Sequence, residues 1–177
     1  FAQCERLLYP IADTERAALD VCSALTDELN KRKALFHQRV GVENLEGYNA
    51  QVDGTASLRP IVTMIDEGTA LLADKSIESA VATLALRGRK YGLWLVIGGQ
   101  DWKATSLDSK IKNQLSARVQ FKALSAAQSR ALLEQSGAEE LDVVGRALAV
   151  LPGQGLVKFQ SPIITAQDIQ AAVSGSG

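Results

Sequence analysis

Two acids stand side by side where an apolar run stops. In RPIVTMIDEGTALLAD, residues 59–74, the run from Ile61 to Ile65 delivers Asp66 and Glu67, and Gly68 follows. A second apolar run, LWLVIG, ends in Gly98, Gly99 and Gln100. Both runs have the length and composition of buried strands, and in a parallel α/β sheet the ligand crevice lies at the carboxyl ends of the strands. One site can therefore collect Asp66, Glu67, Gly98, Gly99 and Gln100. Paired carboxylates there suit nucleotide hydrolysis: the first holds a magnesium ion through its water shell, and the second orients or deprotonates the attacking water. Taken alone, an apolar run ending in two acids is equally well a strand running out into a polar turn.

The complementary half of such a site is not in this sequence. A phosphate loop reads GxxxxGK[ST], because backbone amides cradle the phosphates and the lysine neutralises them. No Gly-Lys pair occurs in the 177 residues. The chain alone is expected to bind nucleoside triphosphate poorly and to turn none over. GQG at 153–155 does not substitute, since it lies between two apolar strands and not between a strand and a helix. His37, the single histidine, sits late in a helix among Lys31, Arg32, Lys33 and Arg39, where a solvated basic face is the expectation. Trp94 falls within a strand and is expected in the core; Trp102 is read as a pore or interface contact, with a local anchor as the alternative.

The elements that must position these residues follow from spacing. Asp13 or Thr14 can cap a long helix whose stripe runs Ala18, Val21, Cys22, Leu25, Leu29, Phe36, ending before Gly41. Ser76 can cap a helix carrying Ile77, Ala80, Val81, Leu84 and Tyr91, with Gly92 at its end. A short polar helix around 107–115 precedes the strand ARVQF, and Ser125 with Gln128 makes a capping box for a helix reaching Gly137. RALAVL and LVKFQ flank PGQG as a hairpin, and Thr165 can cap a last helix. Apolar strands alternating with amphipathic helices predict a mostly parallel sheet covered on both faces, with an antiparallel hairpin at one edge.

Composition narrows the classes. A hydrophobic fraction of 46% over 177 residues supports a sizeable core, so residues 1–173 are expected to form one domain and 174–177 a flexible tail. The 19 basic and 20 acidic residues leave a net charge of −1, which excludes a global basic field for nucleic acid or anionic membrane. Cys4 and Cys22 have neither the density of a disulfide scaffold nor zinc-site spacing, pointing to a reduced, cytoplasmic setting. No apolar run reaches the ~20 residues that span a bilayer, so no membrane contact is expected from this segment. The absence of an initiator methionine and the SGSG end suggest a piece of something larger.

The longer blocks settle the ambiguity of the acids. AALDVCSALTDELNKRKALFHQRVGVENLEGYNAQV, PIVTMIDE, RKYGLWLVIGGQ, SGAEEL and LPGQGLVKFQ follow one another in the order found in the FtsK/SpoIIIE motor domain. From about Leu8 to Val173 the chain resembles the part of that RecA-like ATPase downstream of its phosphate loop. The resemblance implies that Asp66 is the metal-associated Walker B acid and Glu67 the catalytic acid. Gln100 then senses the γ-phosphate, and Arg89, in RKYG, is an arginine finger offered to the neighbouring subunit's nucleotide. Lys158 joins Asp66 and Gln100 among the nucleotide contacts. The implied parent hydrolyses ATP with Mg2+ in a hexameric ring and moves double-stranded DNA in chromosome segregation, cell division or DNA transfer. This segment alone is expected to be inactive and to hold no cofactor tightly.

Departures from the family pattern matter as much. A basic residue usually follows the sensor glutamine, and a lysine and an arginine frame the start of the helix after the next strand. Here Asp101 and Ala126 fill the first two positions and only Arg130 remains. Lys103 is placed with Arg130 as a DNA contact, and Lys110, Lys112 and Lys122 are the other cations available, with a solvated surface as the competing account. Fewer phosphate contacts mean a weaker grip on duplex DNA. The alternatives are a secretion or conjugation ATPase acting on a protein substrate, and a non-hydrolysing ring-assembly module.

Overall fold

The computed structural model describes residues 6–100, 102 and 109–173, which fall into two compact units: residues 14–115, and residues 116–173 with 6–13. Cys4, Asp101, Lys103 and the tail 174–177 lie outside the described residues.

The first unit starts with α1, Glu15–His37, capped by Thr14, whose hydroxyl accepts from the Ala17 amide at 3.2 Å. Its buried face is Ala18, Cys22, Leu25, Leu29, Arg32 and Phe36, in steps of three and four. Burial raises the Cys22 thiol pKa and leaves it unreactive. The helix ends at His37, and Gly41, at φ +76°, turns the chain toward α2, Leu45–Asn49. Two residues of the NLEGYN block explain it. Tyr48 stacks on Phe36, centroids 5.0 Å apart, and Asn49 pairs with the Leu58 backbone in both directions at 2.9 Å. That amide works like a short piece of strand, fixing the loop that feeds β1.

β1, Ile61–Ile65, pairs parallel with β2, Leu93–Ile97, in register from Ile61↔Leu93 to Ile65↔Ile97. The crossover holds α3, Gly68–Leu71, and α4, Lys75–Arg87. Asp74, and not Ser76, caps α4: its carboxylate accepts from the Ser76 and Ile77 amides at 2.8 and 3.0 Å. An anion at a helix N-terminus also gains from the macrodipole, which a hydroxyl one position inside the helix does not. Ile77 and Val81 of α4 pack with Ala18 and Cys22, Leu72, and Ile111 of α5, Ser109–Gln114, against Ile65, Leu95 and Ile97.

The two strands alternate in burial. Ile61, Thr63, Ile65, Leu95 and Ile97 face the core, whereas Val62, Met64, Trp94 and Val96 are exposed, Met64 by 77% and Trp94 by 46%. Trp94 is thus not a core residue: with side chains on alternate faces, the period that buries Leu93 and Leu95 turns Trp94 outward. Trp102 goes the other way, half-buried and packed on the core as an anchor.

In the second unit, β3, Arg118–Gln120, β4, Arg146–Leu151, and β5, Gly155–Gln160, form an antiparallel sheet in that order. PGQG makes the hairpin turn, with Gly153 and Gly155 at positive φ. β3 pairs with β4, so it joins the hairpin and not the parallel pair. α6, Ala126–Leu133, is capped by Ser125 on the Gln128 amide at 3.2 Å; the Gln128 side chain reaches one residue further back, to the Leu124 amide at 2.7 Å. The helix stops at Glu134 in a left-handed conformation, before Gly137. Buried Ser129 ties SGAEEL to α6, donating to the Gln135 carbonyl and accepting from the Ala138 amide. α7, Ala166–Val173, is capped reciprocally by Thr165 and Asp168. Mixed helix and strand, a small parallel sheet and an antiparallel hairpin sheet make this an α/β fold of the RecA-like kind. Among the described residues no helix is long and apolar enough to cross a membrane.

Candidate active site

The parallel register brings the carboxyl ends of β1 and β2 side by side, so the acids and Gln100 meet. The Gly98 amide donates to the Ile65 carbonyl at 2.8 Å, continuing the ladder. The Gly68 amide then donates to the Gly98 carbonyl at 2.8 Å, which pins the acidic turn to the end of β2. Between these two bonds Asp66 and Glu67 are both exposed, and Asp66 Oδ1 accepts from the Glu67 amide at 3.0 Å. Glu67 has φ +50° and ψ +39°, a left-handed conformation that costs a non-glycine residue about 1–2 kcal/mol. The strain is offset by the pinned turn on either side. Across the gap, Gln100 Nε2 donates to Glu67 Oε1 at 2.5 Å.

Glycines make this closeness possible. A Cβ on Gly68 would lie 2.4 Å from Ile97 Cγ2 and 3.1 Å from the Gly98 carbonyl oxygen. One on Gly99 would lie 2.8 Å from Trp102 Cζ2. Gly68 is a requirement that the sequence carried in plain sight, directly after the acids. At a helical position Gly→Ala ordinarily stabilises. Here we expect the reverse: Gly68→Ala should lower stability by about 1–3 kcal/mol, the cost of overpacking, read from urea unfolding midpoints. An unchanged or raised midpoint would show that the turn has room.

The site fits magnesium in one manner only. Among the described residues no group of three or more His, Cys, Asp or Glu side chains could hold a metal ion. Mg2+ keeps several waters and is commonly held by one or two carboxylates plus substrate phosphates, which matches Asp66 exposed at a strand end.

Arg89 does not join this cluster. It lies in the 3-10 turn Gly88–Tyr91 that precedes β2, with its guanidinium carbon 5.9 Å from the centre of the Trp94 ring. From Trp94 to Gly98 the strand rises about 13 Å, four steps of roughly 3.3 Å. Arg89 therefore stands at the opposite end of β2 from Asp66, Glu67 and Gln100. Lys158, exposed on β5 opposite Leu148, and Arg130, exposed on α6, belong to the other unit. Ala126 is the first residue of α6.

Arg32 departs from the solvated basic face expected around it. It is 3% exposed, whereas Lys31, Lys33, His37 and Arg39 are exposed. The signal was available: Arg32 falls between Leu29 and Phe36 on the helix's own apolar stripe.

No protein-family profile matches the chain. The DNA translocase FtsK of Streptococcus pneumoniae is 30% identical over 179 residues, covering 95% of this chain and 23% of that protein. FtsK of Helicobacter pylori is 29% identical over 178 residues, covering 98% of this chain and 21% of the relative. The chain spans less than a quarter of the length of these curated relatives. Among solved structures, the pCW3 conjugation coupling protein TcpA, a monomer with ATPγS, superposes with a TM-score of 0.76 at 29% identity, over 85% of this chain and 45% of that one. The cytoplasmic domain of the Thermomonospora curvata type VII secretion ATPase EccC gives 0.72 at 20% identity, covering 86% of this chain and 18% of that one, and speaks to the fold alone. The resemblance to FtsK read from the sequence blocks thus extends over nearly the whole chain.

Proposed function

We propose that this chain, a segment of an FtsK/SpoIIIE-type motor ATPase, supplies the water-activating and charge-neutralising groups of an ATP hydrolysis site that drives movement of double-stranded DNA. The observation that carries the reading is the meeting of Asp66, Glu67 and Gln100 at adjacent parallel strand ends, with Arg89 at the far end of the same pair. Glu67 orients the attacking water and takes its proton, and Gln100, already donating to Glu67, can pass a hydrogen bond to the γ-phosphate. Asp66 would hold the water shell of the magnesium that comes with the nucleotide, where that ion supplies charge neutralisation on the phosphates. We read Lys158, by family resemblance, as a further nucleotide contact, and Arg130 and Lys103 as contacts to the DNA backbone.

Such a site needs a phosphate loop from sequence outside these 177 residues and a finger from a neighbouring subunit. We therefore read residues 1–173 as part of a single RecA-like motor domain that works in a ring, a hexamer by family resemblance, on the cytoplasmic side. The chain alone turns over no ATP. A second reading is supported by Asp101 and Ala126 together with the TcpA likeness: a conjugation ATPase with a lighter hold on duplex DNA. The test is ATP turnover by the protein that carries this segment together with a GxxxxGK[ST] loop, with and without linear duplex DNA at several salt concentrations. Stimulation by DNA that falls as salt rises is expected. Turnover indifferent to DNA at every salt would overturn the translocase reading, and turnover by the 177-residue chain alone would overturn the need for an outside loop.

A further inference from the structure

Arg32 stands out among the described charged residues because it is buried and every nitrogen of its guanidinium is engaged. Nε donates to Glu28 Oε1 at 2.7 Å, Nη1 to the Tyr91 carbonyl at 2.8 Å and Nη2 to the Arg59 carbonyl at 2.9 Å. The two carbonyls lie at different places in the fold. Tyr91 is the last residue of the 3-10 turn that carries Arg89, and Arg59 lies two residues before the strand that ends in Asp66 and Glu67. Neither carbonyl belongs to the helix that carries Arg32.

The rest of the turn is built to the same tolerance. Gly92 follows Tyr91 at φ +75°, and a Cβ there would lie 2.4 Å from Leu45 Cδ2 and 3.2 Å from Arg32 Nη1. A Cβ on Gly88 would lie 2.8 Å from the Leu93 carbonyl oxygen. The Tyr91 ring packs on Phe36, one turn beyond Arg32 on the same helix face. The turn is thus held from both ends: the Ile61 amide donates to the Gly92 carbonyl at 2.8 Å, and the Arg32 fork adds the side-chain tie that reaches the Tyr91 carbonyl from α1.

We propose that Arg32 is a positioning residue for Arg89: it clamps the turn that presents the finger to the start of the acid-bearing strand, so that finger and acids are held as one rigid piece. This rests on the reading of Arg89 as a finger acting on a neighbouring subunit. In a ring, each subunit must aim its finger at one neighbour while offering its acids to another. A fork that joins the two supports transmits the placement of one to the other. The chemistry demands arginine, since a lysine ammonium has no planar fork to serve three acceptors on separate elements.

The experiment uses the protein that carries this segment with its phosphate loop, assembled with ATP and duplex DNA. Arg32→Lys should lower kcat roughly 10- to 100-fold, the scale for an ångström of misplacement, with KM for ATP within about twofold. Glu28→Gln, which keeps an acceptor for Nε, should leave turnover near normal. The deciding measurement mixes Arg32→Lys subunits with Glu67→Gln subunits, each inactive or nearly so alone. An interface pairing the intact acid of the first with the intact finger of the second should recover turnover, as should the parallel mixture of Arg89→Ala with Glu67→Gln. Recovery with Arg89→Ala but none with Arg32→Lys would overturn the proposal, because Arg32 would then serve its own subunit's site or stability. No recovery in either mixture would overturn the finger reading itself. If Arg32→Lys does not fold, judged by circular dichroism, the Glu28→Gln/Arg32→Gln pair leaves no unpaired buried charge and carries the same test with the same outcomes.

Discussion

Glu67→Gln should stop ATP turnover in the assembled protein by at least about 100-fold, and up to about 10,000-fold, the span of a lost general base, while nucleotide binding stays intact. The substitution isolates the chemistry because the structure absorbs it. A glutamine keeps an oxygen to accept from Gln100, as Glu67 Oε1 now does, and leaves the backbone bonds on either side untouched. Gly68 still pins the turn to Gly98, and Asp66 still caps the residue 67 amide. What is removed is the ability to accept a proton from water. Binding of a fluorescent ATP analogue and single-turnover hydrolysis separate the two effects: unchanged affinity with absent turnover is the expected pair. Turnover within severalfold of the parent would remove Glu67 from the role of base and leave the polar-turn account of the acids standing.

The acids show what the sequence could and could not reveal. Both strands and the hairpin fell where apolar runs and turn residues put them, because backbone pairing and burial leave few options for such runs. Sequence blocks nominated the candidate residues, and the parallel pairing explains why residues 66, 67 and 100 meet. Exposure was harder. An apolar strand reads the same whether one face or both are covered, so Trp94 was expected inside, and only the alternation seen in the fold turns it out. Arg32 failed for the opposite reason: its charge and basic neighbours outweighed its place on the apolar stripe. A buried arginine is tolerable only where carbonyls and a carboxylate converge from distant segments, and that convergence is a tertiary fact. The left-handed Glu67 was also invisible, although the Gly68 beside it marked a turn under close contact.

Arg89→Ala should abolish turnover in homogeneous assemblies by roughly 1,000-fold or more, as expected for an arginine finger that neutralises charge on the transferred phosphoryl group. Two features make this a question of catalysis and not of folding. Arg89 is exposed, and its contact with the Trp94 face is worth about 0.5–1 kcal/mol at such a site, so the variant should unfold at nearly the parent's denaturant midpoint. Its position, about 13 Å of strand from the carboxyl end that bears the acids, makes service to its own subunit's nucleotide unworkable. The loss should therefore depend on assembly: raising the proportion of Arg89→Ala subunits in mixtures with the parent should lower turnover per interface while each subunit still binds ATP. Arg89→Lys should recover little, because an ammonium places a point charge where a planar fork spans two phosphoryl oxygens. Full turnover by Arg89→Ala would return that residue to the solvated end of a helix, and the reading of Arg32 as its support would go with it.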